Sequence, residues 1–193
     1  MAQALDDAAL LIVDMIGTWQ FPDGAAMLAR AQAIAPRIAR LAAGFRRAGL
    51  PVVYVNDNHG QWRSDFKHLL AAAAGAGAAQ ARLVERLKPA DDDYFVLKPK
   101  HSAFYATPLE LLLDHLGSLR LVLTGVTADQ CVMATAMDAK QREREVIVAG
   151  DAVAALDDAR TEAALRHCRE ALQIATCSTA ELEAKLPVGR PRG

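Results

Sequence analysis

LRLVLTGVTADQC, residues 119 to 131, joins an apolar run to a polar turn that ends in a cysteine. Leu119, Leu121, Val122 and Leu123, bounded by Gly125, read as a short strand buried in a parallel sheet. A helix is expected next, because Thr127 and Gln130 have the T-x-x-Q spacing of a capping box, in which each side chain satisfies a backbone N–H of the first turn. Cys131 then falls in or just after that turn, where unpaired N–H groups and the positive end of the helix favour an anion. A thiol there is expected to shift toward the nucleophilic thiolate. The plain alternative is a small buried cysteine, since free Cys is among the most buried residue types.

The same alternation extends in both directions. Ala9 to Val13 (ALLIV) is an apolar run ending at Asp14, a first buried strand with a carboxylate at its C-terminal edge. Gly17, Trp19, Phe21, Pro22 and Gly24 make a loop with two rings able to wall a pocket. Ala25 to Arg47 is helical, with Leu28, Ala31, Ala35, Ile38 and Leu41 on one stripe and Gly49 as its stop. Pro51 to Val55 forms a second strand that leads into Asn56, Asp57, Asn58 and His59. Residues 61 to 88 read as helix, turn and helix; their lone G-x-G lacks a preceding strand and carries Gln80 where a third glycine or alanine belongs, so no dinucleotide loop is expected. Asp91 to Asp93 reads as a solvated charged turn.

Tyr94 to Leu97 is a third strand ending at Lys98, and Thr107 to Leu116 a helix stopped by Gly117. After the Cys131 helix come a strand at Val146 to Ala149, ending at Asp151, and a helix at Asp157 to Ile174. The pattern predicts an α/β fold: a doubly wound, mainly parallel sheet of five to six strands with helices on both faces, in one domain over residues 1–185 with a frayed tail at 186–193.

Composition narrows the partners. Lys plus Arg number 22 against 23 Asp plus Glu, a net charge of -1, which favours a small-molecule partner over nucleic acid. Cys131, Cys168 and Cys177 suit neither a disulfide framework nor a C-x-x-C zinc site, and fit a reducing cytoplasm. The opening MAQALDD lacks signal-peptide order, and no apolar run approaches the ~20 residues that cross a bilayer.

Ligands of such sheets bind beyond the C-terminal strand ends. Here those ends carry Asp14, Asn56 with Asp57, Lys98, the Gly125 to Cys131 turn and Asp151. An acid, a cation and a thiol on one rim supply what nucleophilic attack on a carbonyl needs: a base for the thiol proton, a positive charge and donors for the oxyanion.

These residues resemble the isochorismatase-like cysteine hydrolases, the superfamily that includes nicotinamidases and N-carbamoylsarcosine amidases. ALLIVDM, LKPKHSAF and LVLTGVTADQCV carry the resemblance, in order, along nearly the whole chain. It implies a triad of Asp14 as proton shuttle, Lys98 as the cation close to both partners and Cys131 as nucleophile. It also implies a cis peptide between Val126 and Thr127, with the amides of Thr127 and Cys131 as oxyanion donors, and a homo-oligomer, dimer or tetramer. The implied reaction is hydrolysis of a C–N bond of a small molecule through a thioester, with no organic cofactor.

Two departures matter. Met15, Ile16 and Gly17 replace the x-Q-N that follows the first aspartate in many members, which argues against nicotinamide as substrate. Asp57 and His59 match the Asp-x-His pair through which nicotinamidases bind metal, with His68 as a third candidate. NDNHGQW lacks the proline after the histidine, and no metal is expected. His101, His115 and His167 read as surface or capping residues. Trp19, Phe21, Asn56, Trp62, Phe104 and Tyr105 are the candidate substrate contacts. The competing readings are an enol ether hydrolase in which Asp14 protonates the substrate without a thiol nucleophile, and a binding or redox-sensing member of the fold without turnover.

Overall fold

Strand β1 (Ala8–Val13) is buried along its whole length, and its side chains divide between two cores. Leu10 and Ile12 enter one, while Ala9, Leu11 and Val13 enter the other, the period of two that a strand covered on both faces imposes. The computed structural model describes residues 4–60, 62–63 and 65–188. The first core is closed by helices α1 (Gly24–Arg47), α2 (Phe66–Gly75) and α3 (Ala78–Arg86), and by Leu182. The second is closed by α4 (Leu109–His115), α5 (Met133–Gln141) and α6 (Asp158–Glu170).

Between them lies one six-stranded sheet made also of β2 (Val52–Asp57), β3 (Tyr94–Lys98), β4 (Arg120–Val126), β5 (Glu145–Ala154) and β6 (Ala175–Cys177). Its order is β3-β2-β1-β4-β5-β6, and every pair is parallel. The chain winds outward from β1 through β2 and β3, then returns to the other side of β1 as β4. That reversal opens a crevice beyond the C-terminal ends of β1 and β4, the usual ligand position in such sheets. Asp14 follows β1 directly, and Thr127 follows β4.

The elements differ from their sequence reading in several places. β5 does not stop at Asp151 but runs through it to Ala154. There Asp151 accepts hydrogen bonds from the Thr179 N–H and Oγ1 at 2.7 and 3.0 Å and pairs with Arg37 at 3.6 Å, so it ties a last helix, α7 (Thr179–Glu183), to the sheet. A capping box is present at α7, from Ser178 and Glu181, rather than at Thr127. Leu186, assigned by sequence to the tail, packs on the α1 side; residues 189–193 of that tail lie outside the described residues. Among the described residues no helix is long and apolar enough to cross a membrane.

Asp93 is not solvated either. Its side chain is 2% exposed and pairs with Arg46 at 2.6 Å, beside the buried Tyr54, whose hydroxyl donates to the Leu87 carbonyl at 2.7 Å. Burial pushes the Tyr54 phenol up to about 12, with Asp93 adding to the shift and Arg46 opposing it. The phenol's contribution to stability is therefore fully present below its ordinary value near 10, and is lost as pH rises toward 12. Tyr54→Phe is expected to cost about 1–2 kcal/mol in urea unfolding at pH 7. The difference from wild type should shrink between pH 10 and 12; a constant difference would refute the assignment.

Candidate active site

Four strand ends build the site. Asp14, just past β1, takes a left-handed backbone (φ 51°), which aspartate tolerates better than most residues. Its Oδ1 accepts the Asp57 N–H at 2.8 Å, and its Oδ2 meets Lys98 Nζ at 2.8 Å. Lys98 closes β3, two strands away, so its long stem is what carries the ammonium across the rim. The Lys98 side chain is fully buried; Nζ lies 3.5 Å from Cys131 Sγ and 3.8 Å from Asp57 Oδ2.

Cys131 arrives from the other side of β1. Beyond β4 the Val126–Thr127 peptide is cis, and residues Ala128–Val132 form a π-helical turn, a widened geometry often found at functional sites. The Thr127 carbonyl accepts the N–H groups of Gln130 and Val132, both at 3.2 Å. The Thr127 side chain makes no cap, and its Oγ1 is buried without a partner; the wider turn replaces the predicted box. Two anchors fix the turn. Thr135 Oγ1 donates to the Cys131 carbonyl at 2.7 Å, and Asp129 pairs with Arg160 of α6 at 2.6 Å.

The electrostatics reverse one sequence expectation. Burial, then the Asp14 charge, pushes the Cys131 thiol up to about 12, against the opposing pull of Lys98. A helix end contributes only about 0.3–1 kcal/mol, too little to offset desolvation beside a carboxylate, so the resting sulfur keeps its proton. Burial works against the Lys98 charge, but Asp14, Cys131 and Asp57 outweigh it and raise its pKa. Lys98 therefore stays an ammonium.

A cavity of about 310 Å³ opens over Asp14 and Cys131, of a size for a small molecule. Ile16, Trp19, Phe21 and Met27 form its apolar wall, with the Trp19 and Phe21 rings 6.2 Å apart. The other candidate contacts are not brought there. Asn56 is buried and donates to the Ile16 carbonyl at 2.7 Å, holding the wall from behind. Trp62 is 79% exposed and Tyr105 57% exposed, and neither lines the cavity. Phe104 is buried under the Arg142 guanidinium, 4.8 Å from the ring centre.

Several lining residues, including Ile16, Met27 and His101, are not among the sequence candidates. His101, read as a surface or capping residue, places Nδ1 3.5 Å from Cys131 Sγ; its position three residues beyond Lys98, on the same rim, was the available signal. Asp57, His59 and His68 line one small pocket beside the site, with His59 Nδ1 3.9 Å from Asp57 Oδ1. Asp57 serves Lys98 and the His59 N–H, while His68 Nδ1 is taken by Asp65 at 2.8 Å. No group of three or more His, Cys, Asp or Glu side chains is close enough to hold one ion among the described residues.

Comparison with known proteins bears on the same features. The Isochorismatase domain profile matches residues 8–181. The uncharacterized isochorismatase family protein YaaI of Bacillus subtilis is 36% identical over 159 residues, covering 82% of this chain and 87% of the relative. Among solved structures, an isochorismatase family protein from Desulfovibrio vulgaris superposes with a TM-score of 0.75 at 28% identity, over 92% of this chain and 97% of the other. N-carbamoylsarcosine amidase from Thermoplasma acidophilum does so with a TM-score of 0.65 at 29% identity, over 90% and 96%.

Proposed function

Given that the chain belongs to the isochorismatase family, a family of hydrolases, we propose that it cleaves the C–N bond of a small amide-type substrate through a thioester on Cys131. The observation that carries this reading is the contact of one buried ammonium, Lys98, with both Asp14 and Cys131 at the floor of the cavity.

Because the resting thiol holds its proton, attack and deprotonation occur together. Sγ bonds to the substrate carbonyl carbon as Asp14 takes the thiol proton, and Lys98 offsets the charge that develops. The amides of Thr127 and Cys131 receive the oxyanion. Asp14 then gives its proton to the leaving nitrogen as the C–N bond breaks. Water cleaves the thioester, which frees the acid and restores the thiol. The apolar wall of Trp19 and Phe21 packs on the substrate. The same reading puts the enzyme in a reducing cytoplasm, where its free thiols persist, as a homo-oligomer whose mass sedimentation equilibrium would measure.

The test is a panel of small amides and N-carbamoyl compounds. Wild type is expected to hydrolyse at least one and to carry an acyl group on Cys131 in intact mass spectra. Cys131→Ala is expected to lower the rate by about 10³-fold or more, as loss of a nucleophile does. Hydrolysis that survives Cys131→Ala would overturn the thioester route in favour of protonation by Asp14.

A further inference from the structure

The sulfur of Cys131 has two nitrogen neighbours, each at 3.5 Å: Lys98 Nζ from the buried side and His101 Nδ1 from the exposed side. We propose that His101 is a second acid–base residue of this site, serving hydrolysis of the acyl-enzyme rather than its formation. The proposal rests on the hydrolase reading above.

The geometry divides the labour. Thioester hydrolysis needs a base on the side from which water arrives. The inner side is filled, because the Lys98 side chain is fully buried and keeps its proton. Asp14 and Asp57 also line the cavity. Asp14, however, is hydrogen-bonded to the Cys131 thiol whose proton it moves in acylation, and is held by the Asp57 N–H and Lys98. Asp57 accepts the His59 N–H at 2.6 Å and lies 3.8 Å from Lys98. An acyl group on Sγ presents its carbonyl to the open cavity, where the imidazole of His101 is a base already in contact with the sulfur. A general base needs to reach its proton within about 2.6–3.2 Å or through one water, and a water attacking beside Sγ meets that condition.

The backbone that carries His101 is also held in register with the nucleophile. Thr135 Oγ1 accepts the Ala103 N–H at 3.0 Å and donates to the Cys131 carbonyl at 2.7 Å, so one hydroxyl ties the His101 loop to the cysteine turn. Ser102 donates to Asp138 of α5 and fixes the loop a second time. A histidine placed only by solvent would have no such coupling.

The step balances. The water oxygen bonds to the thioester carbon as its proton passes to His101 Nδ1. The tetrahedral intermediate collapses with cleavage of the C–S bond, and the imidazolium returns the proton to Sγ. The acid leaves, and the protonated resting thiol is regenerated.

p-Nitrophenyl acetate separates the two half-reactions without knowledge of the natural substrate. Wild type should release p-nitrophenolate in a burst, with acetyl on Cys131, followed by steady turnover. His101→Gln, which keeps size and polarity but not acid–base capacity, should retain the burst while steady turnover falls by about 100-fold and acetyl-enzyme accumulates. Wild-type burst and turnover in the variant would overturn the role of His101 and leave the hydrolase reading standing. Loss of the burst itself would assign His101 to acylation and equally overturn the proposal. Absence of acetyl on Cys131 in wild type would overturn the hydrolase reading and this role with it.

Discussion

Asp14→Asn is expected to move two properties of the site in opposite directions: iodoacetamide should alkylate Cys131 faster at neutral pH, while amide hydrolysis falls by about 10²–10⁴-fold. The wild-type thiol stands at about 12, raised first by burial and then by Asp14 through its charge and a hydrogen bond, with Lys98 pulling the other way. Removing the carboxylate charge removes the second of these causes and leaves Lys98 as the charged group 3.5 Å from the sulfur. The thiol pKa must then fall, and the thiolate fraction at a given pH must rise. Hydrolysis is lost because asparagine can neither take the thiol proton nor return it to the leaving nitrogen. The substitution is otherwise mild, since asparagine also tolerates the left-handed backbone found at position 14. Alkylation rates across pH, followed by mass spectrometry of Cys131, and turnover on a substrate from the amide panel give the two readouts. A thiol that becomes less reactive in Asp14→Asn, or a variant that still turns over, would contradict the assignment of Asp14 as the proton acceptor.

The same pair of residues shows what the sequence could and could not convey. Sheet and helix order follow from local patterns, because ALLIV, VVYV and LVL are apolar runs that only a sheet covered on both faces can bury, and the helices between them carry single apolar stripes. The doubly wound order then brings Asp14, Lys98 and the Cys131 turn to one rim. What stayed out of reach depends on which way a side chain turns and how deeply it sits. Asn56 and Asp57 are consecutive, and the strand's period of two sends Asn56 behind the wall and Asp57 to the rim. Desolvation of Cys131 is a property of the assembled site, so a local reading of its helix end predicted the wrong direction. His101 needed the fold of the 99–104 loop, and Asp93 needed Arg46 from a distant helix. Trp62 and Tyr105 are aromatic loop residues whose exposure no composition argument distinguishes from that of Trp19.

Gly125→Ala is expected to remove at least about 4 kcal/mol of folding stability, at the exceptional end for a single substitution. In sequence Gly125 looks like a strand terminator; in the structure it sits within β4, paired with Val13 of β1. A Cβ there would lie 2.0 Å from the Val13 carbonyl oxygen and 2.8 Å from its nitrogen, and the backbone has a φ of +103°, which a side chain rarely adopts. The obstructing atoms are backbone in the centre of the sheet, so no rotamer change relieves them; the β1–β4 pair must open. Against a typical total of about 5–15 kcal/mol, urea unfolding should show a large fall in midpoint, or the protein should not fold. Gly75→Ala, where an added Cβ meets nothing within 4 Å at the end of α2, should leave the midpoint unchanged or raise it by up to about 1 kcal/mol. The seam that Gly125 keeps closed joins the strand bearing Asp14 to the one leading into Cys131. Any folded Gly125→Ala protein should therefore also show an altered alkylation profile at Cys131. A midpoint within about 1 kcal/mol of wild type together with an unchanged profile would mean that the close approach of β4 to β1 does not set the geometry of the site.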